Sequence, residues 1–219
     1  MAKQVKSKQR VEDHGEVFTA EREVNAMCDL VEDECRRIDS RFLEPACGDG
    51  NFLDEILKRK LDIVAKKYKK SPYDYERNAL LALGSLYGVD IMLDNVVTCR
   101  QRLFKTWENY YKSAIKKKDR NNEVCESALF ILTKNIICGN ALSLHCVDDS
   151  QNDTENPIVF SKWSFATGPL IKREEYTFEE LLNRQKDTNE QLRIKSEDDE
   201  GTLVKIYPPI HYRRLSANE

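Results

Sequence analysis

The segment Phe42-Leu-Glu-Pro-Ala-Cys-Gly-Asp-Gly-Asn-Phe52 constrains the fold of this chain more than any other. A short apolar run ends on an acid, Glu44, and a turn carrying glycines at 48 and 50 follows it. An amphipathic stretch begins immediately afterwards at Asn51. That order reads as a strand, a sharp turn and a helix in direct succession. Glycine adopts backbone angles closed to other residues and lets a ligand lie against bare peptide groups. The unpaired amides of the first helical turn then face whatever occupies the turn. The Gly-Lys-Ser/Thr ending of a phosphate-binding loop is absent. Glu44 beside the turn disfavours an anion and favours a cationic or amino-bearing ligand.

The rest of the chain supplies the elements that such a turn needs around it. Thr19 is placed to cap a helix in which Val24, Met27, Cys28 and Val31 recur at helical spacing, ending near Arg37. Arg41 to Leu43 reads as a first strand. Asn51 to about Lys69 reads as a helix with Phe52, Ile56, Leu57 and Leu61 on one face, broken by Ser71-Pro72. Tyr75 to Ser85 reads as a helix, Leu86 to Val89 as a second strand and Leu93 to Asn109 as a long helix. A helix over Asn122 to Thr133 leads to a third strand, Asn135 to Cys138. Residues 148–156 are polar without periodicity and read as a loop. Ile158 to Phe160, extending toward Phe165, reads as a fourth strand. Glu174 to about Arg193 reads as a polar helix, and Thr202 to Tyr207 as a final strand before Pro208-Pro209.

Strands alternating with helices predict an α/β fold: a mostly parallel sheet with right-handed crossovers and helices on both faces. Ligands of such sheets sit beyond the carboxyl ends of the strands, where the strand order reverses. Glu44, Asp90 and Asn140 each follow a strand, so one crevice can collect all three.

No apolar run approaches the roughly 18 residues that span a bilayer. The basic N-terminus lacks the apolar segment of a secretory signal, so a cytoplasmic location is expected. The seven cysteines show no C-x-x-C pair and are odd in number, as expected of reduced, mostly buried thiols. Cys138, His145 and Cys146 do not fit a common zinc spacing, so no metal is expected. A net charge of −3 does not advertise a nucleic-acid binder. Two dense basic tracts, Lys58 to Lys70 and Lys112 to Arg120, nevertheless suit either solvated helix faces or contacts to a phosphate backbone.

Glu44-Pro-Ala-Cys-Gly-Asp-Gly-Asn-Phe52 resembles motif I of the S-adenosylmethionine-dependent DNA adenine methyltransferases of restriction-modification systems. His14-Gly-Glu-Val-Phe-Thr-Ala20 resembles the motif that precedes it in that family, with Ala20 where proline is usual. Tyr87-Gly-Val-Asp-Ile91 resembles motif II, whose acid takes the ribose hydroxyls. Ile136-Ile-Cys-Gly-Asn-Ala-Leu142 resembles motif III, with Asn140 where an Asp usually accepts from the adenine amino group. The resemblance covers roughly residues 14 to 142. It implies a Rossmann-like class I methyltransferase domain over residues 14–195, after a flexible segment 1–13 and before an acidic linker and C-terminal strand at 196–219. It implies S-adenosylmethionine as cofactor, held by Phe18, Thr19, Glu44, Pro45, Ala46, Cys47, Gly48, Gly50, Phe52, Asp90, Ile91, Asn140 and Ala141. DNA is the implied partner and the exocyclic amine of adenine the implied methyl acceptor.

The family also carries Asn/Asp-Pro-Pro-Tyr/Phe after strand four, where it holds the target amine and stacks on a flipped base. Here that slot reads Ser161-Lys-Trp-Ser-Phe165. Phe165 is the candidate for stacking on a base. Lys162 is a poor stand-in for Asn or Asp, because an ammonium cannot accept from an amine. Asn156-Pro157 and Tyr207-Pro-Pro-Ile210 stand at the wrong places along the strands. The resemblance therefore implies a partner subunit that supplies the catalytic motif or target recognition, or else a non-catalytic, regulatory cofactor-binding module.

Overall fold

The computed structural model describes residues 19–180, 182 and 203–217. Helices α1 (Glu21–Leu30) and α2 (Glu32–Cys35) lead into strand β1 (Phe42–Glu44). Then follow α3 (Asn51–Tyr68), α4 (Pro72–Gly84), β2 (Leu86–Asp90), α5 (Leu93–Ala114), α6 (Asn122–Asn135) and β3 (Ile136–Asn140). The first three strands run parallel, with Glu44 opposite Gly88 and Asp90 opposite Cys138. Strands β4 (His145–Val147) and β5 (Asp153–Pro157) add to β3 in antiparallel fashion, completing a mixed five-stranded sheet of order β1-β2-β3-β4-β5. The architecture is α/β. Strands β6 (Val159–Phe165), β7 (Leu170–Thr177) and β8 (Leu203–His211) form a second, antiparallel sheet.

Alternation along the parallel strands sorts the side chains into two cores, because successive residues of a strand point to opposite faces. Phe42, Leu86, Ile136 and Cys138 join the larger core, built from α1 and α3 to α6 around Leu53, Leu57, Leu83, Leu103, Trp107 and Ile131. Leu43, Tyr87, Val89 and Ile137 face the other way, against Ile158, Phe160 and Phe178. The described part of the second face is covered by β6 and by Phe178, which opens a helical segment (residues 178–180) directly after β7.

The sequence also predicts strand four at the main sheet, and the structure places it elsewhere. The main strands run in order without reversal, with β1 at an edge, so no switch point forms among the described strands. β6 turns through residues 166–169 and pairs with β7, Ala166 donating to the Leu170 carbonyl at 2.9 Å and Gly168 taking φ +61°. A four-residue hairpin closes with little loop entropy, and local pairing wins. The same pairing overrides the helix expected from Glu174, since residues 170–177 form β7, paired on both sides. The remainder of that predicted helix lies mostly outside the described residues. β5 falls within the predicted 148–156 loop. It is an exposed edge strand held by backbone pairing to β4, with no apolar alternation to betray it. β8 continues through Pro208-Pro209, where the register with β7 shifts; a strand at a sheet edge tolerates the missing amide. At the other end, Ala20 rather than Thr19 caps α1, its amide donating to Glu23 at 3.3 Å.

Glu76 fastens these layers together. Its carboxylate has no solvent exposure. It accepts from the hydroxyls of Tyr111 at 2.8 Å and Tyr212 at 2.6 Å, and from the Arg213 guanidinium at 2.7 Å. Helices α4 and α5 and the turn after β8 therefore meet on one charge. Breaking a buried, hydrogen-bonded pair from one side leaves the other side's donors unsatisfied. Glu76→Gln is expected to lower unfolding free energy by about 3 kcal/mol, measured by denaturant titration. Amide exchange at residues 212–215 should rise first.

Candidate functional site

The turn after β1 is anchored from below and from the side. The Cys47 amide donates to the Val89 carbonyl at 2.9 Å, continuing the β1–β2 pairing one step past the strand. The Gly48 amide donates to Asp90 Oδ2 at 2.9 Å, and Gly50 donates to the Cys47 carbonyl at 2.9 Å. Gly48 and Gly50 take φ of +52° and +88°, the left-handed region that glycine occupies without a Cβ penalty. A Cβ on Gly50 would also lie 2.7 Å from Cys99 Sγ. Gly50 then serves as the N-cap of α3. Arg102 of α5 clamps the turn's outer side, donating to the Asp49 carbonyl at 2.8 Å and pairing with its carboxylate at 2.6 Å. Among the described residues, the amides of Asn51 and Phe52 donate to nothing. They form the anion-attracting start of α3.

Asp90 closes the neighbouring strand. Besides the Gly48 amide, its carboxylate accepts from the Met92 amide at 2.8 Å and from Asn95 Nδ2 at 3.2 Å. A carboxylate offers about four acceptor positions, so a fourth donor such as a hydroxyl can be taken. The same acid therefore positions the glycine turn and caps the start of α5. Ile91 lies half-buried beside it, its carbonyl receiving the Cys138 thiol at 3.7 Å.

Glu44, on the adjacent strand end, is half-buried. Burial raises its carboxyl above the usual range, opposed by the Ala46 amide at 3.4 Å. Pro45 and Ala46 are exposed, Cys47 is buried, and Phe52 packs onto the larger core. Hydrogen bonding to Cys99 and burial push the Cys47 thiol far above its usual range, so it is a neutral packing group.

Asn140 ends β3, two residues beyond Cys138, the partner of Asp90. Its side-chain carbonyl accepts from the Leu142 amide at 3.0 Å, and its amide donates to Asp153 at 3.1 Å. That is a side-chain turn, and it leaves Ala141 half-buried just beyond the strand. Parallel pairing thus brings Glu44, Asp90 and Asn140 to successive strand ends, with the strands about 4.8 Å apart. Thr19 is exposed ahead of α1; Phe18 lies outside the described residues.

Lys162 and Phe165 do not join this edge. The Ser161 amide donates to Asn135 Oδ1 at 3.2 Å, and Asn135 donates to the Gly84 carbonyl at 3.0 Å. Asn135 and Gly84 immediately precede β3 and β2, so β6 at this point crosses the amino ends of the strands. Lys162 pairs with Glu174 at 3.5 Å, and Phe165 stacks under the Arg77 guanidinium at 4.3 Å. Two residues important to the turn, Arg102 and Asn95, carry no local signal. Each works through a contact far away in sequence or through a helix phase that only folding sets.

No group of three His, Cys, Asp or Glu among the described residues is placed to hold a metal. All seven cysteines are free. Among the described residues, no helix is long and apolar enough to cross a membrane. Comparison with family models, with curated proteins and with solved structures returned no match.

Gly50→Ala should cost about 2 kcal/mol in stability, from the left-handed backbone together with the Cys99 contact. Cys99→Ala in the same chain should relieve the contact but not the backbone penalty. A thermal-denaturation cycle should then show the double variant less destabilised than the sum of the two single ones.

Proposed function

We propose that this chain binds S-adenosylmethionine at the turn of residues 44–52 and acts as the modification subunit of a restriction-modification system. With a partner chain, it directs methyl transfer to the exocyclic amine of adenine in DNA. The observation that carries this reading is the turn itself. It carries two left-handed glycines, the first held by the acid of the next strand, beside a strand-end carboxyl raised by burial, at the carboxyl edge of parallel strands. A Rossmann-like class I domain is the finer fold this supports.

The residues fit the cofactor's groups in kind. Glu44 suits its amino group, Asp90 its ribose hydroxyls, and Ile91 and Phe52 an apolar ring. S-adenosylmethionine supplies an electrophilic methyl. The chain's own residues bind and orient it, which is where proximity lowers the barrier. The residues in the slot of the catalytic motif do not reach this edge: Lys162 sits at the opposite end of the strands, and the Asn140 carbonyl already accepts from the Leu142 amide. The catalytic motif therefore comes from a partner. The same observation favours a second reading, a regulatory module that binds the cofactor without transfer.

Calorimetric titration with S-adenosylmethionine tests the proposal, and binding is expected. Because Glu44 takes up its proton above the ordinary carboxylate range, and only the carboxylate attracts an ammonium, affinity should weaken as pH falls through that range. Glu44→Gln should lower affinity about tenfold at neutral pH and flatten the pH dependence. A folded chain that binds no cofactor would remove both readings. Binding without methylation of DNA in the presence of the partner would leave the regulatory one.

A further inference from the structure

The two basic tracts of the sequence separate into different populations once folded. In the first, Lys58 pairs with Asp54 at 2.9 Å and Arg59 with Asp29 at 2.8 Å. Lys60 is fully buried, donating to the Arg37 and Ile38 carbonyls and to Ser85 Oγ. None of these three is a surface cation in search of a partner. Lys66, Lys67, Lys69 and Lys70 are exposed, and among the described residues no ion pair or hydrogen bond engages their ammonium groups. Asp62, the one acid a helical turn before Lys66, is occupied by the Tyr110 hydroxyl at 2.8 Å.

In the second tract, Lys112 pairs with Glu108 at 2.7 Å, and Arg120 folds back onto the Lys112 and Ile115 carbonyls. Lys116, Lys117 and Lys118 are exposed and, among the described residues, unpaired, beside the single acid Asp119.

Tertiary packing brings together the helix ends that carry the two sets. Ala65 and Lys69, at the end of α3, line a surface cavity of about 340 Å³ with Asn109, Tyr110, Ser113 and Ala114, at the end of α5. The helix dipole accounts for cations in the last turn of each helix. It does not account for Lys70 or for Lys116 to Lys118, which lie beyond the helix ends. Seven unpaired ammonium groups at one pole of a chain with net charge −3 mark a local field opposite in sign to the whole.

From this convergence we infer that the paired ends of α3 and α5 are a docking surface for the phosphate backbone of duplex DNA. Backbone contact needs mobile point charges spaced along a surface and no base-reading side chains, and lysines of this kind supply that. An anionic membrane would call for large apolar side chains beside the lysines, and none of the exposed large apolar residues lies in either tract. With 18 residues in α3, the surface lies about 27 Å along the helix from the glycine turn. A duplex held here is gripped away from the cofactor site; the choice of DNA rests on the proposed function, while its test does not require the cofactor.

Fluorescence anisotropy with a short random-sequence DNA duplex, across a salt series and without cofactor, tests it. Each lysine that contacts a phosphate contributes about 0.9 to the slope of log affinity against log salt. Replacing Lys67, Lys70, Lys117 and Lys118 with Gln should make that slope shallower by about 3 to 4, and weaken binding at low salt about tenfold or more. Lys172→Gln with Lys205→Gln, on the second sheet, should leave both unchanged. In the unmodified chain, the duplex should protect residues 66–70 and 116–118 from lysine acetylation, read by mass spectrometry. An unchanged slope, equal loss in the control or no protection would overturn the proposal. So would binding to anionic vesicles by the same lysines without binding to the duplex.

Discussion

The buried carboxylate of Glu76 is the constraint on which the rest of the arrangement depends. An ionised group with no solvent access is tolerated only when its acceptor positions are filled. Here the donors come from α5 and from the turn after β8. The end of the described chain is thereby fixed against the helical layer. Because β8 leads into that turn and pairs with β7, the second sheet is held against the amino ends of the parallel strands.

The carboxyl ends of β1 and β2 are organised by a second carboxylate of the same kind. Asp90 satisfies the Gly48 amide, the Met92 amide and Asn95 at once. It converts a flexible glycine turn into a fixed one. Arg102 does the same from the other side through Asp49. The ligand site and the fold share these contacts, so a substitution at Asp90 acts on both. Glu44 is the cleaner probe, since among the described residues its carboxylate accepts only from the neighbouring Ala46 amide.

Much of the site was legible beforehand because its signals are local. A strand, two glycines and a helix start fall within eleven residues, and the alternation of β2 and β3 places their terminal polar residues without knowledge of packing. The second half of the chain was less legible. Glu174-Glu175 and the residues around them suit a helix, yet residues 170–177 form the middle strand of a hairpin sheet, with Arg173 buried over Tyr207 at 4.1 Å. Pairing on both sides, with β6 across a short hairpin and with β8 farther along the chain, outweighs the weak intrinsic preference of a short polar segment. Strand β5 escaped for the opposite reason: an exposed edge strand needs no apolar pattern.

The sequence by itself determined the strand–turn–helix at residues 42–52, the parallel succession of the first three strands and the acid or amide at the end of each. These follow from backbone chemistry and two-residue periodicity, which act over a few neighbours. Only the tertiary structure decided that strand four leaves the main sheet, carrying Lys162 and Phe165 to its opposite end. It alone separated the lysines that are paired or buried from those left unpaired, and set side by side the ends of α3 and α5 that carry the latter. The first outcome turns on a short hairpin outcompeting the main sheet, the second on contacts distant in sequence. Which acid reaches which lysine, and which strand finds a partner first, is settled by packing geometry that no local pattern encodes.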